Sequence, residues 1–198
     1  MNDRARFCCL ALLLTLAGCA REELDAQGRA MLDPAREARL RPAVLVEHLG
    51  LRPDAVVADI GAGPGLLTLP LARAVPQGRV IATDINPVYL RVLERRAQAA
   101  GLRQVETRRV TPDASGLDPG SVDLALLCQV DHVLRDRVGY LRQLVRALRP
   151  GGRIVIIHHT AHRPGAEALA RAAGLTVVDA WAPSDDFFLL ALEPAPKK

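Results

Sequence analysis

The segment Val56-Val57-Ala58-Asp59-Ile60-Gly61-Ala62-Gly63-Pro64-Gly65 constrains this chain more than any other. An apolar run carrying one acid passes directly into a glycine-rich bend. Such a run suits a strand buried on both faces of a parallel sheet. Glycines are needed where the backbone turns sharply and must come close to a ligand without a Cβ in the way. A second run, Arg79-Val80-Ile81-Ala82-Thr83-Asp84, ends on a carboxylate. An acid there is placed to accept hydrogen bonds from two ribose hydroxyls. These are the two ligand corners of a nucleotide-type α/β site. A dinucleotide site shows G-x-G-x-x-G, with the pyrophosphate at the helix start. Here the spacing is G-x-G-x-G, and Asp59 stands two residues before the first glycine. A carboxylate there is a poor neighbour for a pyrophosphate and suits a ligand carrying positive charge. An NAD-type oxidoreductase stands as the competing reading, and it predicts affinity for NAD.

Helix and strand signals alternate along the rest of the chain, which argues for a parallel sheet covered on both faces. Leu40, Val44, Leu45 and Leu49 form a helical stripe closed by Gly50. The first strand is expected over residues 55–60, followed by a helix carrying Leu67, Leu71 and Val75 that Pro76-Gln77-Gly78 breaks. Asn86-Pro87 reads as an N-cap with proline at N1, opening a helix that stops at Gly101. Further strands are expected at residues 104–110, 122–128, 153–157, 175–181 and 187–192. Helices are expected through Leu141, Leu144, Val145 and Leu148, and over residues 166–173.

Motif by motif, the chain resembles the class I S-adenosylmethionine-dependent methyltransferases. Residues 56–65 are similar to that family's first motif, and Asp84 matches its ribose-binding acid. Leu148-Arg149-Pro150-Gly151-Gly152-Arg153 is similar to the turn before the family's fifth strand. The segment from Gly120 to Val133 is similar to small methyltransferases acting on ubiquinone and menaquinone precursors. The resemblance implies an α/β, Rossmann-like fold over residues 37–194. Its seven-stranded sheet is mostly parallel with the last strand antiparallel, and helices cover both faces. It also implies S-adenosyl-L-methionine as cofactor and methyl transfer to a small-molecule or lipid-like acceptor. The alternative is an exported, non-catalytic nucleoside-binding protein with the same fold.

The resemblance carries over to particular residues. Gly61, Gly63 and Gly65 would let the backbone reach the methionine and ribose parts of the ligand. Asp59 would help hold the loop and the ligand's ammonium, Asp84 would take the ribose, and Ile85 would pack on the adenine. Asp113, after the third strand, would accept from the adenine amino group. Cys128 would offer its backbone carbonyl. Methyl transfer needs donor and acceptor held in line and, for O or N acceptors, removal of a proton. The fourth and fifth strands are neighbours in such a fold, so Asp131 and His132 would face His158 and His159, an Asp–His pair serving as general base. His158 and His162 have H-x-x-x-H spacing, but they straddle a strand end and a loop with no third ligand nearby. No metal site is expected.

The N-terminus carries a second message. Arg4 and Arg6 precede an apolar run over residues 7–17, too short to span a bilayer. It ends Leu16-Ala17-Gly18-Cys19, which resembles a bacterial lipobox. Residues 1–18 are then a signal peptide, Cys19 is the lipidated anchor of a cell-envelope lipoprotein, and residues 19–36 form a polar tether. The cofactor, however, is made in the cytosol. The alternatives are a translation start at Met31, giving a cytoplasmic enzyme, or an apolar segment that anchors locally without export. The net charge of +4 is mild, and no aromatic residues are interleaved with the arginines. Nucleic acid is therefore not an expected partner. With 49% hydrophobic residues among 198, the chain can bury one core without disulfides.

Overall fold

A computed structural model describes residues 24–195. Residues 1–18 and Cys19, read above as signal and anchor, lie outside them. The elements run α1 (Ala26–Met31), α2 (Pro34–Leu40), α3 (Pro42–His48), β1 (Val56–Ile60), α4 (Thr68–Ala74), β2 (Arg79–Asp84) and α5 (Pro87–Ala99). They continue with β3 (Val105–Arg109), β4 (Val122–Cys128), α6 (Arg137–Ala147), β5 (Leu148–His159), α7 (Arg163–Ala172), β6 (Leu175–Ser184) and β7 (Phe187–Pro194). The seven strands form one sheet in the order β3-β2-β1-β4-β5-β7-β6. β1 through β5 pair in parallel, and β7 lies antiparallel between β5 and β6.

Strand alternation divides the core into two faces. Ala125 and Leu127 of β4 join Leu141 and Leu144 of α6 and Leu169 of α7 on one face. Leu124 and Leu126 join Leu45 of α3 and Leu71 of α4 on the other. Burial on both faces explains why these strands are apolar without a period of two. The expected N-cap at Asn86 is present: its side chain accepts from the Val88 N–H, with Pro87 at N1.

Some elements differ from the sequence expectation. The stripe Leu40, Val44, Leu45 and Leu49 is divided between two helices, because proline cannot continue a helix across residue 42. Arg41 takes a left-handed backbone, φ 51°, at the junction. Leu40, Leu45 and Leu49 still converge on one core. Residues 24–36, expected as tether, include α1 and the start of α2. Asp25 caps α1 by accepting from the Gly28 N–H, and Asp33 caps α2. β5 begins at Leu148 rather than Arg153, with a register shift against β4 between Val122 and Leu124. At that shift Asp123 accepts from the Val56 N–H at 2.8 Å and from Arg149 at 2.8 Å. Asp123 thus ties β1, β4 and β5 together at the end of the sheet where these strands begin.

Candidate active site

Strand order reverses between β1 and β4, where open α/β sheets bind ligands beyond the strands' carboxyl ends. A cavity of about 680 Å³ lies there, within the range of small-molecule and cofactor sites. Its lining draws on the ends of β1, β2 and β4 and on α1 and α2. Of the residues expected to bind a ligand, Asp59, Gly61, Asp84, Ile85, Cys128 and His132 line it.

Asp59 is 2% exposed, and Thr68 Oγ1 donates to its Oδ2 at 2.6 Å. Burial pushes its carboxyl up to about 6 against the Thr68 hydrogen bond, and the charge of Asp84 adds to the rise. Asp84 accepts from the Gly63 N–H through Oδ2 and from the Asn86 N–H through Oδ1, each at 2.8 Å. One carboxylate therefore fastens the glycine bend to the start of α5, and each oxygen keeps a further lone pair. Beside it, Thr83 Oγ1 is buried in the cavity wall without a hydrogen-bond partner among the described residues. Ile85 is 55% exposed at the rim, an apolar surface next to the Asp84 carboxylate. Two carboxylates, an unsatisfied hydroxyl and an apolar ledge suit a cationic nucleoside better than a pyrophosphate.

The glycines act differently from expectation. Only Gly61 of the three lines the cavity. The space a Cβ would take at Gly61 is filled by Val130 Cγ2, 2.6 Å from that position, and at Gly63 by Met31 Sδ at 2.8 Å. At Gly65 it is filled by Leu93 Cγ at 2.9 Å. Gly63 serves through its amide on Asp84, and Gly65 through close packing of α5. All three have positive φ.

Asp113 does not reach this cavity. It is exposed and lines a separate hollow of about 150 Å³ with Asp136 and Gln143, and Gln143 Nε2 donates to its carbonyl at 2.9 Å. Cys128 lines the cavity, and burial pushes its thiol up to about 12, which leaves it inert as a nucleophile. Asp131 lies behind the wall, 2% exposed and paired with Arg137. His132 is exposed at the lining, and its Nδ1 lies 3.1 Å from Nε2 of His158. His158 is 3% exposed, and its burial holds the ring's pKa down to about 4, so it is neutral. Asp131, His132 and His158 thus come together as expected. His159 stands aside, stacked on Phe187.

The N-terminal helices supply what the sequence reading missed. Gln27, Ala30 and Met31 of α1 and Arg36 of α2 line the cavity, whereas none of residues 40–49 does. Tyr89 of α5 donates to Asp25 at 2.8 Å and anchors α1. Arg36 donates to Gln129 Oε1 through both Nε, at 3.2 Å, and Nη2, at 2.6 Å. Gln129 itself sits at φ 56° directly after β4. The readable signal was Asp33-Pro34, an N-cap and N1 pair inside the presumed tether.

Comparison with known proteins agrees with this geometry. Residues 58–154 match a family model described as "Methyltransferase domain". The chain is 31% identical over 121 residues to the ubiquinone/menaquinone biosynthesis C-methyltransferase of Hahella chejuensis, covering 60% of this chain and 49% of that protein. It is 28% identical over 162 residues to a 4-amino-L-phenylalanine/4-methylamino-L-phenylalanine methyltransferase of Streptomyces pristinaespiralis, covering 70% and 55%. The chain thus spans about half the length of these curated relatives. In fold it is similar to a SAM-dependent methyltransferase from Aquifex aeolicus, with TM-score 0.79 and 20% identity over 86% of this chain and 98% of the other.

Proposed function

We propose that this chain, whose residues 58–154 match a methyltransferase-domain model, is a class I enzyme that transfers a methyl group to a small-molecule or lipid-like acceptor. The fold and the relatives imply S-adenosyl-L-methionine as its cofactor. The observation that carries the reading is the pairing of Asp59 and Asp84 across one cavity at the strand-order reversal. When bound, the cofactor supplies a methyl group on a positively charged sulfur. Asp84 would hold the ribose hydroxyls on its free lone pairs, Asp59 the amino-acid ammonium, and Ile85 the adenine face. Asp113 reaches the adenine only if its loop moves from the hollow it lines. The acceptor would enter beside His132, and its proton would be handled by the Asp131–His132–His158 cluster.

Calorimetry of the full chain tests this directly. S-adenosylmethionine and its demethylated product should both bind, and NAD should not. Ionised Asp59 is favoured by an ammonium and disfavoured by a pyrophosphate. The carboxyl is half-protonated near its raised value of about 6. Binding there should release about half a proton at that pH and almost none two units higher. The same linkage makes affinity rise with pH through the fives and sixes. Titrations in buffers of different ionisation enthalpy measure the proton count. Proton uptake, or binding of NAD alone, would support the oxidoreductase instead. No binding of either by folded protein would favour the non-catalytic alternative.

Cys19 bears on location. We read the protein as a lipoprotein anchored there, its acceptor reached at the membrane surface. From Cys19 to the start of α1 the chain can span at most about 20–25 Å, so an anchored molecule keeps α1 close to the bilayer. A start at Met31 would remove most of α1, including Gln27 and Ala30 of the cavity wall. Among the described residues, no helix is long and apolar enough to cross a membrane. Cells fed labelled palmitate should yield a membrane-fraction protein labelled at Cys19. An unlabelled chain beginning at Met31 would overturn the anchor.

A further inference from the structure

His158, which the sequence pairs with His162 without a third ligand, instead meets Asp131 and His132 of the turn after β4. Asp131, His132 and His158 each offer one ligand atom, and the three atoms lie within 4.8 Å of one another. His158 Nε2 is 3.1 Å from His132 Nδ1 and 3.8 Å from Asp131 Oδ1. Ligand atoms around a tetrahedral ion at ordinary metal–nitrogen lengths stand about 3.4 Å apart. The two measured spacings straddle that value.

A second observation points the same way. Asp131 is 2% exposed, and its Oδ2 is occupied by Arg137. Its Oδ1 is buried with no hydrogen-bond partner among the described residues. A buried carboxylate oxygen that meets neither a donor nor a cation is costly even when its twin oxygen is paired. The ring of His162, with its centroid 3.9 Å from that of His158, flanks the cluster. His132 lies on the cavity wall, so an ion held here would keep an open side toward the acceptor.

We propose that Asp131, His132 and His158 bind one divalent transition-metal ion at the acceptor end of the cavity. Two imidazoles and one carboxylate favour zinc, iron or manganese over calcium or magnesium, which prefer all-oxygen shells. The ion's role rests on the methyl-transfer reading above, whereas the site itself does not. The ion takes the oxygen of an acceptor hydroxyl. The O–H bond breaks as the oxygen–metal bond forms, the proton leaves to water, and the oxygen keeps its electron pair for the incoming methyl group. The substrate class is therefore an alcohol or phenol.

Loading has a structural consequence. The His159 N–H donates to Nδ1 of His158 at 2.8 Å, which puts that ring's proton on Nε2, facing His132. An ion at Nε2 displaces this proton to Nδ1, so the His159 amide must turn off the ring.

The test titrates the metal-stripped full chain with Co²⁺. One ion per chain is expected, with visible bands of a low-coordinate nitrogen–oxygen site and no near-ultraviolet thiolate band, which excludes the cysteines. The backbone amide resonance of His159 should move on loading. Because His132 is exposed, His132→Ala should fold, and it should weaken Co²⁺ by more than about 100-fold, beyond the loss typical of an outer-shell partner. His48→Ala, at a surface histidine remote from the cluster, should bind as the parent does. No stoichiometric uptake by folded protein, or parental affinity in His132→Ala, overturns the site. The demethylated cofactor product, titrated into the same samples, separates the two proposals. Binding of that product without Co²⁺ uptake rejects the ion alone, and Co²⁺ uptake without product binding rejects methyl transfer alone.

Discussion

Asp84→Ala should bind S-adenosylmethionine and its demethylated product on the order of 10²–10³-fold more weakly than the parent, a loss of about 3–4 kcal/mol. Two effects add. The ribose loses both of its charge-assisted acceptors, each worth more than a neutral hydrogen bond. The glycine bend also loses its fastening, since Asp84 Oδ2 accepts from the Gly63 N–H and Oδ1 from the Asn86 N–H. Asp84→Asn separates these contributions. Its amide can replace one oxygen but must point an NH₂ at one of those two backbone N–H groups. It should therefore recover little affinity and remain less stable than the parent. Asp84→Glu keeps the charge and displaces it by one methylene. Isothermal titration gives the affinities, and a thermal melt of the same samples reports the bend. If Asp84→Ala binds within about threefold of the parent, a change worth under 1 kcal/mol, the ribose is not held at Asp84.

The contrast with Asp113 shows what the sequence made legible. Asp84 ends β2 and Asp59 is the last residue but one of β1, and strand pairing fixes where such residues emerge. Their place followed from the period and length of two apolar runs. Asp113 follows an exposed loop whose path is set by Gln143, thirty residues on; no local pattern encodes that contact. The glycines were legible as a bend but not as to what fills the space beside them. Met31 of α1, Leu93 of α5 and Val130 of the turn after β4 are far apart in sequence, and only their assembly reveals the fit. α1 and α2 went unread for a related reason. They are short and mostly polar, and beyond Leu40, which joins the core, a tyrosine hydroxyl and an arginine–glutamine pair hold them to the body rather than a hydrophobic stripe. The histidine cluster was legible in outline, because Asp131 and His132 follow β4 and His158 lies near the end of β5. Asp131 and His158 are brought together by β4 and β5 pairing side by side.

Gly78→Ala should be the most destabilising single-methyl change in the chain, costing about 3 kcal/mol or more. The sequence marks Gly78 only as part of a helix-breaking Pro-Gln-Gly. The structure gives it a sharper role. A Cβ added there would lie 2.0 Å from the Ala55 carbonyl oxygen and 2.9 Å from its carbon. Both are backbone atoms, so no rotamer relieves the contact. The same carbonyl accepts from the Arg79 N–H at 3.1 Å, the bond that starts β2 alongside β1. Separating the two segments far enough for a methyl group breaks that bond at the first rung of the β1–β2 ladder. For a domain of this size each kcal/mol lowers the melting temperature by about 2–4 °C, so a fall of about 6–12 °C is expected. Asp59 and Asp84 lie at the opposite ends of these two strands. Below its melting temperature, folded Gly78→Ala should therefore keep nearly parental affinity for the cofactor, the reverse of Asp84→Ala. A melt within 2 °C of the parent would mean that the turn relaxes around the methyl group and that the Ala55 carbonyl does not hold β2 in register.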